Sequence, residues 1–135
     1  MDPLVLIVDD DPDVRDLLAE HVRGCNFRVQ ECRDGREALR FLEGHSPDIA
    51  LVDLHMPYVD GLAVLRVIRQ RHARCQVMLM SGAGTLDDAG AAMKLGAREY
   101  LKKPFELAAL RTILNAIKNE LVATRGIDTP SSRNV

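Results

Sequence analysis

The chain alternates between short apolar runs and segments whose apolar residues recur every three or four positions. Five runs have the length of a β-strand and occupy residues 4–8, 27–32, 48–53, 76–80 and 98–101. The first run is apolar throughout, which is typical of a strand covered on both faces. Each run is followed by a segment with the spacing of an amphipathic helix. Five strand–helix alternations predict an α/β domain with a parallel sheet and helices on both of its faces.

Capping and breaking residues indicate where several helices begin and end. Asp11 followed by Pro12 is typical of a helix N-terminus, with the aspartate as N-cap and the proline at the first helical position. We expect Thr85 to cap the fourth helix and Gly96 to end it, because glycine tolerates the left-handed backbone at helix ends. Pro104 is expected to open the last helix.

Polar side chains of distinct chemistry stand at the carboxyl ends of four predicted strands. In chain order they are Asp9 and Asp10, Asp53, Ser81, and Lys103. The carboxyl ends of parallel strands share one edge of the sheet, and ligands of such sheets bind outside that edge. We therefore expect these five residues to form a single site.

The chemistry of this predicted site suits a divalent cation and a phosphoryl group. Clustered carboxylates repel one another unless a cation lies between them, and hard oxygen ligands with open positions suit Mg²⁺. Mn²⁺ is expected to substitute for it. Asp53 can then act as a nucleophile toward phosphorus and form an aspartyl-phosphate. Lys103 supplies positive charge and Ser81 a hydroxyl donor for the transferred group.

These motifs, in this order, resemble the receiver domain of two-component response regulators. The similarity covers about residues 4–121 and rests on Asp9-Asp10, Asp53 with Met56-Pro57 and Asp60-Gly61, Ser81-Gly82, Tyr100, and Lys103-Pro104-Phe105. Each motif alone is weak, but all of them at successive strand ends form a specific signal. The resemblance implies a doubly wound, five-stranded parallel sheet of (βα)5 flavodoxin-like type, with strand order 2-1-3-4-5.

The resemblance also implies roles for individual residues. Asp53 would accept a phosphoryl group from a phosphohistidine of a sensor histidine kinase or phosphotransfer protein. Asp10 would bind Mg²⁺ directly and Asp9 mainly through water, and the backbone carbonyl of His55 would complete the metal site. The ammonium of Lys103 is expected to pair with Asp53 in the resting state. The domain would assist its own phosphorylation and dephosphorylation without being an enzyme for a separate substrate.

The resemblance also implies how the phosphorylated domain would signal. The resemblance implies that Ser81 moves toward the phosphoryl group and that Tyr100 swings inward behind it. The face formed by helix four, strand five and helix five would then change its partners. These would be an output domain, an effector protein or a second copy in a phosphorylation-dependent homodimer. The Lys103–Pro104 bond is often cis in this family.

Composition and charge limit the partners and the location that we expect for this protein, and they leave this interpretation unchanged. Net charge is −2 with a pI of about 6.1, so neither nucleic acid nor a membrane is expected as a direct partner. No apolar run is long enough to cross a membrane. The three cysteines lack metal-type spacing and are expected to be reduced packing residues in the cytoplasm. We expect a receiver domain over residues 1–123 and a flexible tail or linker over 124–135.

A phosphatase of the haloacid dehalogenase type is the alternative function. That family also uses an aspartyl-phosphate and Mg²⁺, and Asp9 and Asp11 provide an Asp-x-Asp motif after the first strand. It requires a further acidic motif after the fourth strand, where this chain has Ser81-Gly82. A flavin carrier would need a Ser/Thr-rich phosphate loop after the first strand, where the aspartates repel phosphate instead.

Overall fold

The computed structural model describes residues 2–83 and 86–125, apart from the side chains of Leu86 and Arg125. Strands and helices alternate as β1 Leu4–Val8, α1 Pro12–Gly24, β2 Arg28–Cys32, α2 Gly35–Leu42, β3 Ile49–Asp53, α3 Gly61–Arg71, β4 Gln76–Ser81, α4 Leu86–Lys94, β5 Glu99–Lys102 and α5 Leu107–Arg125. All strand pairs are parallel, and the strand order is β2-β1-β3-β4-β5. The predicted fold class and strand order are confirmed.

Two apolar layers cover the two faces of the sheet. Because successive side chains of a strand point to opposite faces, Leu6 and Val8 of β1 contribute to the layer under α2, α3 and α4. Val5 and Ile7 contribute to the layer under α1 and α5. Every residue of β3 is buried, as expected for the central strand of a doubly covered sheet. None of the helices in residues 2–83 and 86–125 is long and apolar enough to cross a membrane.

The capping signals of α1 and α4 give the expected ends where the structure describes them. The side chain of Asp11 accepts hydrogen bonds from the amides of Asp13 and Val14, and Pro12 is the first helical residue. Gly96 follows α4 with φ of +96°, the left-handed conformation that favours glycine. The proposed cap of α4, Thr85, lies outside the described residues.

The expectation that Pro104 opens the last helix is wrong. The amide of Lys103 donates to the carbonyl oxygen of Ser81 at 2.8 Å, so the chain continues along the sheet for one residue past β5. The Lys103–Pro104 bond is cis, and α5 begins at Leu107. At its other end α5 reaches Arg125, two residues past the predicted end of the domain. Residues 126–135 lie outside the described part of the chain.

All three cysteines have free thiols, as expected for packing residues. Cys32 and Cys75 are buried, and Cys25 is half-buried. Burial raises the pKa of the Cys32 and Cys75 thiols to about 12, so both stay protonated at neutral pH. A protonated, buried thiol is a poor nucleophile and a poor metal ligand, which agrees with a purely structural role.

Candidate functional site

The carboxyl ends of four strands bring the predicted site residues to one edge of the sheet. β1 and β4 both pair with β3, and β5 pairs with β4. Asp53 is the last residue of β3 and Ser81 the last residue of β4. Asp9 directly follows β1 and Lys103 directly follows β5. The backbones of these residues therefore lie at one edge of the sheet, as the parallel pairing of the strands predicts.

Three carboxylates form the centre of the site. Asp9, Asp10 and Asp53 each offer a carboxylate oxygen, and these oxygens lie within 4.8 Å of one another. Asp9 is fully buried and Asp53 is 6% exposed, whereas Asp10 is exposed at the mouth. A set of hard oxygen donors with one open side fits a small divalent cation that keeps part of its water shell, such as Mg²⁺.

Burial and neighbouring charges perturb the ionisation of Asp53. Burial raises the pKa of Asp53 to about 6, and the carboxylates of Asp9 and Asp10 act in the same direction. Lys103 and the backbone amide of His55, which donates to Asp53 Oδ1 at 3.4 Å, act in the opposite direction. The raised pKa means that the charged form of Asp53 is less stable here than in water, and that further positive charge would stabilise it.

Lys103 turns toward the acids while its neighbour Lys102 is exposed. Its Nζ lies 3.8 Å from Asp53 Oδ1, so the expected ion pair with Asp53 is present, but it donates at 2.8 Å to Asp9 Oδ2. This shorter contact was not expected from the sequence. It arises because the carboxylate of Asp9 is fully buried and needs a donor for each oxygen. The other oxygen, Oδ1, accepts from the amide of Asp11 at 2.9 Å.

Arg15 is a residue at the site that sequence reasoning missed. From α1 its Nη1 donates to the backbone carbonyl oxygen of Asp9 at 2.8 Å. No sequence signal identifies this contact, since an arginine on a helix is usually solvated. Arg15 matters because the carbonyl that it binds belongs to the peptide linking the first two acids.

Ser81 is buried beneath the loop that leaves β4. Its Oγ accepts a hydrogen bond from the amide of Ala83 at 3.2 Å, which leaves the hydroxyl proton for another acceptor. Gly82 leaves space beside it: a Cβ there would lie 3.8 Å from the Cβ of Lys103. This arrangement is compatible with a hydroxyl that donates to a phosphoryl oxygen.

Tyr100 lies on β5 with its ring half-buried against the layer under α2, α3 and α4. Its hydroxyl is buried and has no hydrogen-bond partner in the described part of the chain. A buried hydroxyl left unpaired costs about 1–3 kcal/mol. The side chain therefore occupies a position in which its polar end is unsatisfied, next to the strand that carries Ser81.

The loop from β3 to α3 passes close beneath the central aspartate. The side chain of His55 is exposed, as expected, so only the backbone of this residue contacts the site. Asp60 caps α3 by accepting from the amide of Ala63 at 2.9 Å. A Cβ at Gly61 would lie 2.5 Å from the carbonyl oxygen of Asp53, so the close return of this loop requires glycine.

Comparisons with known proteins point to one family. The sequence model of one protein family, the response regulator receiver domain, matches residues 5–115. The chain is 38% identical over 130 residues to the transcriptional regulatory protein PrrA of Mycobacterium tuberculosis, covering 96% of this chain and 54% of that protein. It is 38% identical over 104 residues to the DNA-binding transcriptional regulator NtrC of Escherichia coli, covering 77% and 22%.

Solved structures agree with the sequence comparisons. The crystal structure of a response regulator receiver domain protein from Clostridium thermocellum is similar, with a TM-score of 0.82 at 30% identity. The match covers 90% of this chain and 98% of that one. The chain thus spans nearly all of a solved receiver domain, but only about half the length of PrrA.

Proposed function

This chain belongs to the family of response regulator receiver domains, and we propose that Asp53 is the residue on which it is phosphorylated. Receiver domains of response regulators are phosphorylation-activated signalling switches. The observation that supports Asp53 is its position: it is the buried acid at the end of the central strand, with two carboxylates and an ammonium beside it. The comparisons give no support to the haloacid dehalogenase-type phosphatase.

The phosphoryl donor would be a phosphohistidine of a sensor histidine kinase or phosphotransfer protein. An Oδ of Asp53 attacks phosphorus, the phosphorus–nitrogen bond breaks, and its electron pair returns to the imidazole of the donor. Lys103 neutralises charge on the transferred group, and the hydroxyl of Ser81 donates to one of its oxygens. These residues thus assist both phosphorylation and later hydrolysis, and no separate substrate is turned over.

The acidic cluster would hold a Mg²⁺ ion, for which Mn²⁺ substitutes. Asp10 and Asp53 would be direct ligands together with the backbone carbonyl of His55, and Asp9 would act mainly through water. When bound, the ion supplies positive charge that offsets the carboxylates and the phosphoryl oxygens. The grouping of three carboxylate oxygens within 4.8 Å supports this assignment.

Output would pass through the face formed by α4, β5 and α5. Phosphorylation adds charge beside Ser81, and Tyr100 lies on the neighbouring strand with an unpaired hydroxyl, so both are candidates for elements with two arrangements. The partner would be an output domain, an effector protein or a second copy of the chain. We propose that the receiver domain itself, over residues 1–123 in the cytoplasm, contacts neither nucleic acid nor membrane.

Phosphorylation by acetyl phosphate tests the assignment of Asp53. Wild-type protein with Mg²⁺ should gain a hydroxylamine-labile phosphoryl group, detected by intact mass spectrometry. Asp53→Asn and removal of the metal with EDTA should each abolish it, whereas Asp16→Asn on the exposed side of α1 should not. Full labelling of Asp53→Asn would place the acceptor elsewhere, and turnover of p-nitrophenyl phosphate would revive the phosphatase alternative.

A further inference from the structure

We propose that Arg15 is a positioning residue for the metal-binding acids, and that it acts by fixing the peptide between Asp9 and Asp10. This inference rests on the proposed function, since it concerns how the same acidic cluster is held ready. The contact that carries it is the 2.8 Å hydrogen bond from Arg15 Nη1 to the carbonyl oxygen of Asp9.

Asp9 is held at every polar group that it possesses. Its amide donates to the carbonyl oxygen of Cys32 at 3.2 Å, and its two carboxylate oxygens accept from the amide of Asp11 and from Lys103. Arg15 provides the remaining contact, the one to the carbonyl oxygen. The residue is thereby tied to β2, to α1 and to the end of β5 at once.

Asp10 depends on this backbone because its side chain has no anchor of its own. It is exposed, and its carboxylate makes no hydrogen bond or ion pair with any group that the structure describes. The backbone alone therefore fixes the Cα–Cβ bond from which this side chain extends. The carbonyl of the preceding peptide is the group to which Arg15 donates, so Arg15 helps to hold the backbone that carries the exposed metal ligand.

Glu31 in turn holds the guanidinium in place. Its Oε1 lies 3.7 Å from Nε of Arg15, whose side chain is 18% exposed. Arg23 also approaches Glu31, at 3.4 Å, but it is 55% exposed and does not contact the acidic cluster. Arg15 therefore bridges Glu31 and the Asp9 carbonyl, and Arg23 is a natural control for the charge of this network.

If Arg15 acts only through its charge, its removal should change the Mg²⁺ affinity in the opposite direction from the change expected if it positions the acids. A cation near the cluster repels Mg²⁺, so simple electrostatics predicts tighter metal binding when the guanidinium is lost. Loss of a group that orients metal ligands predicts weaker binding, typically by about tenfold or more. The sign of the change in Mg²⁺ affinity therefore separates a positioning residue from a nearby charge.

The test compares Mg²⁺ binding by wild type, Arg15→Met, Arg15→Lys and the control Arg23→Met, using isothermal titration calorimetry. We expect Arg15→Met to raise the dissociation constant about tenfold. Arg15→Lys should raise it less, because the ammonium can still donate to the Asp9 carbonyl, but it cannot contact Glu31 at the same time and so holds that carbonyl less firmly. Arg23→Met should leave it unchanged. At saturating Mg²⁺, the rate of phosphorylation by acetyl phosphate should return to the wild-type value in both Arg15 variants.

A second measurement does not require metal. Nitrogen-15 relaxation of the Asp10 amide in the metal-free protein should show increased motion in Arg15→Met and Arg15→Lys, but not in Arg23→Met. A dissociation constant equal to or below that of wild type in a folded Arg15→Met variant would overturn the inference. If Arg15→Met does not fold, wild-type affinity and wild-type Asp10 relaxation in Arg15→Lys would overturn it equally. Failure of the wild-type protein to bind Mg²⁺ would instead refute the proposed function.

Discussion

Replacing Asp53 by asparagine should stabilise the metal-free protein, and the gain should depend on pH. Burial raises the pKa of Asp53 from 3.8 to about 6 in the folded state. Below about pH 4 both the folded and the unfolded chain carry a protonated Asp53, and its ionisation contributes nothing. Between about pH 4 and 6 the unfolded chain loses the proton first, so wild-type stability falls as pH rises. Above about pH 6 the penalty is complete.

The size of the effect follows from the size of the pKa shift. A change of about two pKa units corresponds to about 3 kcal/mol at 1.36 kcal/mol per unit. Asparagine cannot ionise, yet its amide oxygen can still accept from the amide of His55. Asp53→Asn should therefore be more stable than wild type by up to about 3 kcal/mol above pH 6, and by much less at acidic pH.

Urea unfolding followed by far-ultraviolet circular dichroism, in the presence of EDTA, measures this difference across the pH range. Asp16→Asn serves as a control because it makes the same charge change at an exposed position of α1. Adding Mg²⁺ at neutral pH should stabilise wild type and have much less effect on Asp53→Asn. A stability difference that is absent at neutral pH, or equal at all pH values, would refute the electrostatic reasoning.

Three further predictions follow from the same site. Lys103→Ala should destabilise the protein by about 3 kcal/mol in urea unfolding, because the buried carboxylate of Asp9 loses its cation. The control Lys102→Ala, at an exposed position, should change the stability by no more than about 0.5 kcal/mol, and equal effects of the two substitutions would contradict the prediction. Tyr100→Phe should be as stable as wild type or more stable by about 1 kcal/mol, since it removes an unpaired buried hydroxyl, and a clear loss of stability would show that the hydroxyl has a partner. Hydrogen exchange with and without beryllofluoride should change most in residues 81–100 and the adjoining face of α5, and changes confined to α2 would contradict the proposed output face.

The parallel α/β architecture and the residues of the site could be predicted from local sequence pattern, whereas the strand order came only from the resemblance to receiver domains. Strand-length apolar runs alternating with helical spacing fix a parallel sheet, and any parallel sheet brings its carboxyl strand ends to one edge. The positions of Asp9, Asp53 and Lys103 at that edge therefore follow without knowledge of side-chain packing. Helix starts marked by a cap, as at Asp11, follow from the same local chemistry.

What the sequence could not supply depends on contacts between distant residues. Lys103 donates to Asp9 at 2.8 Å and lies 3.8 Å from Asp53, and which of the two carboxylates the ammonium approaches is decided only when the whole sheet is assembled. α5 begins at Leu107 and not at Pro104, because the chain still follows β4 at Lys103, whose amide donates to the carbonyl oxygen of Ser81. The contact of Arg15 with the Asp9 carbonyl is likewise set by how α1 packs on the sheet.

The close passage of Gly61 beneath Asp53 has a consequence for genetics. A methyl group at position 61 would collide with the carbonyl oxygen of Asp53 at 2.5 Å, so any substitution there must displace the backbone that carries Asp53. Such an allele would retain every carboxylate, the hydroxyl and the ammonium, yet it should behave in a cell as a loss of signalling. A screen for loss-of-function alleles should therefore recover substitutions of Gly61 as well as substitutions of the acids. The chemistry of the reactive groups alone would not explain the Gly61 alleles.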